Sequence, residues 1–258
     1  MVSYYGAVPP TRVIALGASN LTRALYTVVS TARSAWTRDV EFVAALGLGR
    51  SYGVKSSVFG RAVPGILESG LWAELEAMAP APAVGLITDV GNDIMYNVEV
   101  PQILEWIRES VRRLERHTTS IAIAGLPVED ERRLSDWQFR WLRHVIVPSC
   151  RLTHDELRQR AALVNDGLRI IAAEGGHRFV ELDSAWYGFD PIHIRHRYWR
   201  TVWARILGVP PEVTWRGSLG EAVGLHLRRP QRQWLLGRDM GQHEQGASLS
   251  GGGRVWLF

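Results

Sequence analysis

Four short stretches of the sequence hold side chains that could do chemistry together: Ser19 in "RVIALGASN" (12–20), the glycines of "GLGRSYG" (47–53), Asn92 in "DVGND" (89–93), and Asp190 with His193 in "DPIHIRH" (190–196). A serine hydroxyl is a weak nucleophile until a neighbouring base takes its proton. His193 can be that base. Asp190, three residues earlier, is close enough within a turn to fix the imidazole tautomer and stabilise its protonated form. A serine at a helix start also has backbone N–H groups beside it that face developing negative charge. The N–H of Ser19, that of a glycine in 47–53 and the side-chain amide of Asn92 would together form an oxyanion hole. The set suits acyl transfer.

These residues need a frame that brings them to one place. Apolar runs alternate with amphipathic stretches, the pattern of a parallel sheet covered by helices. Strands are expected at "VIALG" (13–17), "VEFVAALG" (40–47), "VGLITDV" (84–90), "SIAIAGLP" (120–127) and "RFVELD" (178–183). Leu21, Leu25, Val28 and Ala32 share one helical face. So do Ile103, Ile107, Val111 and Leu114 after Pro101, and Leu157, Ala161, Val164, Leu168 and Ile171. Trp199, Trp203 and Ile206 mark a closing helix. The expectation is a three-layer α/β/α fold on a flavodoxin-like five-stranded parallel sheet. Ligands of such sheets sit beyond the carboxyl ends of the strands, where all four stretches fall.

Composition narrows the rest. The chain has 258 residues, 46% hydrophobic and 22% charged, enough for one sizeable core. Residues 1–208 are expected to form the catalytic domain. Residues 209–258 form an extension, flexible around "GQHEQGASLSGGG" yet ending on apolar "RVWLF". That last piece could form a hairpin with "RQWLLG", dock on the domain edge or pair two chains. The segment 128–150, with Trp137, Phe139 and Trp141 after a candidate cap at Ser135, reads as a helical insertion. A single cysteine, Cys150, excludes an internal disulfide and suits a reducing, cytoplasmic setting as a small buried residue. The net charge of +4 comes from arginines interspersed with acids, so nucleic acid is not expected as partner, and with no run of 18 apolar residues neither is a membrane. The oligomeric state is left open.

The order and spacing of the four blocks resemble the SGNH hydrolases, the GDSL esterase and lipase superfamily, over residues 11 to about 208. The matching residues are Ser19 in "LGASN", Gly49 in "GLGRSYG", Asn92 in "GND" and His193 in "DPIH". The resemblance implies that Ser19 is the nucleophile and that Asp190 and His193 form a D-x-x-H pair. It implies that the Ser19 and Gly49 N–H groups and the Asn92 amide hold the oxyanion. A small-molecule ester would be the substrate, with no metal or organic cofactor; some members transfer acyl groups instead. Two positions depart from the pattern. Ala18 stands where the family has the aspartate of G-D-S, and Val90 where G-x-N-D wants glycine.

Each residue also has a plainer reading: Ser19 as a helix cap, the glycines and Asn92 as turn residues, His193 as a surface histidine. An α/β-hydrolase would need G-x-S-x-G, and Leu21 breaks it. A phosphate cradle would need motifs that "GLGRSYG" lacks. Asp190, His193 and His196 could be offered to a metal, but all three sit in one loop. A non-catalytic binding domain on the same scaffold is the remaining alternative. Arg50 and Arg195 could favour an anionic substrate, although in so arginine-rich a chain a solvated or structural role suits them better, and Tyr52, Tyr96 and Trp186 could line an aromatic pocket or equally be packing.

Overall fold

Strand β1 (Arg12–Leu16) runs parallel between β2 (Glu41–Ala45) and β5 (Ala83–Ile87), with Arg12 opposite both Glu41 and Ala83. Beyond β5 lie β6 (Ile121–Ala124) and β7 (Arg178–Val180), also parallel. All five expected strands are present, in the order β2-β1-β5-β6-β7. Their near-continuous apolar runs follow from burial on both faces. Alternate residues of β1 divide between two layers. Val13 and Ala15 pack with α1 (Ser19–Ala35) and α6 (Trp199–Leu207). Ile14 and Leu16 pack with α2 (Leu71–Ala77), α4 (Val100–Leu114) and α5 (His154–Glu174). The α/β/α layering is as the periodicity indicates.

This computed structural model describes residues 11–36, 39–127, 150–188, 190, 192–211, 218–250 and 252–258. The helical insertion expected over 128–150, with Ser135, Trp137, Phe139 and Trp141, lies outside them apart from Cys150, which is free and buried. Helix α5 opens on a capping box in which the Thr153 side chain accepts from the Glu156 N–H and the Glu156 carboxylate accepts from that of Thr153. Helix α6 stops at Gly208, whose φ of 75° is the left-handed conformation that glycine adopts without strain.

The sheet is wider than the five strands expected. β11 (Arg254–Leu257) adds parallel to β2, and β10 (Ala247–Ser248) pairs antiparallel with β11, making seven strands among the described residues. Val255, Trp256, Leu257 and Phe258 are buried. Of the three placements open to the apolar tail, the structure shows docking on the sheet edge. The "RQWLLG" stretch goes elsewhere. It contributes β8 (Trp234–Leu235) to a small antiparallel sheet with β3 (Ser56–Val58), β4 (Arg61–Val63) and β9 (Arg238–Asp239).

Candidate active site

The site residues sit on loops that leave the carboxyl ends of adjacent strands β2, β1 and β5 and of the outer strand β7. Ser19 is the first residue of α1, and the cap position is Ala18, which has no side-chain acceptor to offer. The carboxylate of Asp89, at the end of β5, does the capping instead. Its oxygens accept from the backbone N–H groups of Ala18 at 2.8 Å, Asn20 at 3.4 Å and Leu21 at 3.3 Å. The second and third residues of a helix are the donors that a cap side chain normally takes. The N–H of Ser19 and its hydroxyl bond to no described residue. The helix-cap reading of Ser19 therefore fails, and a negative charge from another strand stabilises the end of α1.

Asp89 reaches that end through its own backbone, with φ of 61°. Aspartate tolerates the left-handed region better than most residues. The glycine expected at position 90 is not needed, because the turn falls one residue earlier and Val90 is buried.

Asn20 ties Ser19's helix to the histidine loop. Its amide nitrogen donates to Asp89 at 2.8 Å and to the carbonyl of Ile192 at 3.0 Å, and its oxygen accepts the N–H of Ile194 at 2.9 Å. These last two bonds grip His193 from both sides. His193 Nδ1 lies 2.6 Å from Asp190 Oδ2, and Asp190 Oδ1 accepts the N–H groups of Ile192 at 3.0 Å and His193 at 3.3 Å. Burial pushes the Asp190 carboxyl up, but the hydrogen bond and charge of His193 and the two backbone donors outweigh it, so its pKa lies below the ordinary value. An ionised Asp190 can only accept. Nδ1 then carries the proton, and Nε2 is left as the basic atom. His193 and Ser19 are not hydrogen-bonded to each other.

The loop after β2 is anchored by buried polar groups. Arg50 is fully buried, and its guanidinium donates to the carbonyls of Pro64 and Leu46 at 3.0 Å each and to that of Phe258, while Nη2 has no partner among the described residues. It is a structural tie between this loop and the chain's last residues, not a contact for an anionic substrate. Tyr52 is likewise fully buried, its hydroxyl on the carbonyls of Leu16 and Thr88, and so lines no open pocket. Asp93 accepts from the Ser51 hydroxyl and the Tyr52 N–H. Burial pushes its pKa up to about 6 against those two bonds.

Gly49 has φ of 63°, its carbonyl accepts the Tyr96 hydroxyl at 2.6 Å, and its N–H has no acceptor among the described residues. Asn92, at the start of the short helix α3 (Asn92–Met95), donates its amide to the Arg50 carbonyl at 3.3 Å, next to Gly49. Its second amide hydrogen has no acceptor among the described residues. A cavity of about 540 Å³ opens beside these loops, bounded by Asn20, Asn92, Leu126, Ile192 and Ile194; Ser19, Gly49 and His193 are not in its walls. Among the described residues no group of three or more His, Cys, Asp or Glu is placed to hold a metal ion.

Sequence reasoning missed Asp89, Asn20 and the buried role of Asp93. The polar Asn20 directly after Ser19 was the one visible signal.

No family model matches the chain, and no curated protein sequence does. Several solved structures resemble it. The M. smegmatis aryl esterase has a TM-score of 0.48 at 12% identity, over 76% of this chain and 94% of that one. A psychrotrophic esterase from Pseudoalteromonas sp. has 0.47 at 12%, over 77% and 95%. A member of the lipolytic G-D-S-L family from Veillonella parvula has 0.46 at 14%, over 78% and 98%.

Proposed function

We propose that the chain is a serine hydrolase that cleaves a carboxylic ester through an acyl-enzyme on Ser19. The observation that carries this reading is the Asp190–His193 pair, held at 2.6 Å and tied by Asn20 to the helix turn that presents Ser19. His193 Nε2 takes the Ser19 proton as Oγ attacks the ester carbonyl, then returns it to the leaving alcohol. Water repeats the cycle on the acyl-enzyme, with His193 again as base. The carbonyl oxygen, negative in the tetrahedral intermediate, is met by the N–H groups of Ser19 and Gly49 and the free amide hydrogen of Asn92. In this reading Ser19 and His193 come into hydrogen-bond range when substrate binds, since such contacts are often loose in empty sites. The 540 Å³ cavity gives part of the substrate a place beside Asn92.

The test is hydrolysis of p-nitrophenyl esters by the wild type, Asp190→Asn and His193→Ala. Losing the orienting carboxylate lowers kcat by about four orders of magnitude, and losing the base by about six. A His193→Ala protein as active as wild type overturns the assignment.

A further inference from the structure

The small sheet ends in two hairpin tips that lie side by side. The first turn, between β3 and β4, has Phe59 and Gly60 at its corner, with φ of 51° and 73°. The second, between β8 and β9, has Leu236 and Gly237, with φ of 48° and 81°. Two-residue turns with both corners left-handed favour Asn or Asp before the glycine. Here both tips carry a large apolar residue in that unfavourable conformation, followed by Gly and Arg. The tips are joined: the Leu236 N–H donates to the Gly60 carbonyl at 2.8 Å, and a Cβ on Gly60 would meet the Leu236 side chain at 2.7 Å. Yet Phe59 is 72% and Leu236 81% exposed. The molecule thus holds two apolar side chains out in water at a conformational cost, a combination that points to use.

Charge identifies what they meet. Register places Arg61 and Arg238 in one cross-strand row on either side of Leu235, directly behind the tips. Exposed Lys55 stands over the Trp234 ring at 4.6 Å. In the four strands and two turns the one acid is Asp239, which caps the Gly241 N–H and faces His243. Two apolar tips are too small a patch for a stable protein interface, which needs on the order of 1,200 Å². They suit insertion among lipid headgroups, with the cations behind them at the level of anionic phosphates.

We propose that the Phe59 and Leu236 tips, with Arg61, Arg238 and Lys55, are a docking surface for an anionic lipid bilayer. No helix among the described residues is long and apolar enough to cross a membrane, and surface docking needs none. The tips adjoin the candidate site: a Cβ on Gly49 would meet Val58, the residue before Phe59, at 2.4 Å. Docking would therefore bring the loop after β2 close to the lipid.

The test is co-sedimentation of the full chain with phosphatidylcholine vesicles containing phosphatidylglycerol, and with phosphatidylcholine alone, at low and high salt. Binding is read without turnover, so it stands or falls separately from the proposed esterase. The full chain sediments with the anionic vesicles and is released by salt. Phe59→Asn/Leu236→Asn lowers its partition by about tenfold or more. Asparagine suits the turn, so that variant keeps or raises its Tm. Arg61→Ser/Arg238→Ser weakens binding to the anionic vesicles only. The proposal is overturned if the wild type ignores anionic vesicles at low salt, or if the asparagine variant binds as well as wild type. It is equally overturned if the wild type is a dimer that this variant splits, which would give the tips to a second copy of the chain.

Discussion

Asp89 is the residue through which the site's geometry is most open to test, because it holds the end of α1 from a different strand. Replacing it by alanine removes the acceptor for the Asn20 and Leu21 N–H groups, a loss of about 1–2 kcal/mol for a helix cap. It removes a negative charge from the positive end of the helix, about 0.3–1 kcal/mol. It also leaves a residue with no polar side chain at φ of 61°, costing about 1 kcal/mol more. Asp89→Ala should therefore lose about 2–4 kcal/mol in urea unfolding. Asp89→Gly escapes the backbone penalty and should lose about 1–3. Asp89→Asn keeps one acceptor and should lose about 1–2. Ester turnover should fall in the same order, since the Asn20 bridge to the histidine loop leans on the same carboxylate. Ala18 occupies the cap position and is buried, so Ala18→Asp puts a second carboxylate beside Asp89 and should destabilise the wild type. In the Asp89→Gly background the same change should recover about 1 kcal/mol. An Asp89→Ala protein within about 0.5 kcal/mol of wild type, or equal effects of Ala18→Asp in both backgrounds, would refute the reasoning.

Asp93 gives a pH-dependent signature. Its folded pKa of about 6 lies above the ordinary 3.8, so the native state keeps the proton longer and stability falls as pH rises from about 4 through 6. That gap is worth roughly 3 kcal/mol. The stability of Asp93→Asn relative to wild type should grow by about that much between pH 4 and pH 7, read by urea unfolding at each. Gly49→Ala places a side chain at φ of 63° with its Cβ 2.4 Å from Val58 Cγ2 and 3.2 Å from the Tyr96 hydroxyl. The loop must shift, and kcat should drop by about tenfold or more while Tm falls, as steady-state assays and calorimetry would show. Arg50→Met removes the guanidinium donor from the carbonyls of Pro64, Leu46 and Phe258, of which that of Phe258 keeps the Leu46 N–H. It should cost about 3 kcal/mol or more and raise hydrogen exchange at the end of β11, where one of the bonds that hold Phe258 is lost.

What the sequence made legible follows the range of the interactions. The strands at 12–16, 41–45 and 83–87 showed as apolar runs because both faces are buried. The faces of α1 and α4 showed in the helical period, and Leu21, Val28, Ile103 and Ile107 are indeed buried. Asp190 and His193 could be paired by spacing, since one turn joins them. Asp89 could not be assigned to the end of α1, because 71 residues separate it from Ala18 and only the β1–β5 pairing brings them together. The same holds for Asn20 and Ile194, and for Arg50 and Phe258. For Arg50 and Tyr52 the sequence left a substrate contact and a structural role both open, because nothing local to "GLGRSYG" decides between them. Their burial depends on β11 and β5, which lie far away in sequence.

The central claim is that Ser19 is an activated nucleophile, and the most direct measurement is intact mass after treatment with a fluorophosphonate. The account predicts one adduct on the wild type, none on Ser19→Ala and a much slower adduct on His193→Ala. A folded wild-type protein that takes no label, or a Ser19→Ala protein that takes it equally well, would contradict it and leave a binding domain on the same scaffold.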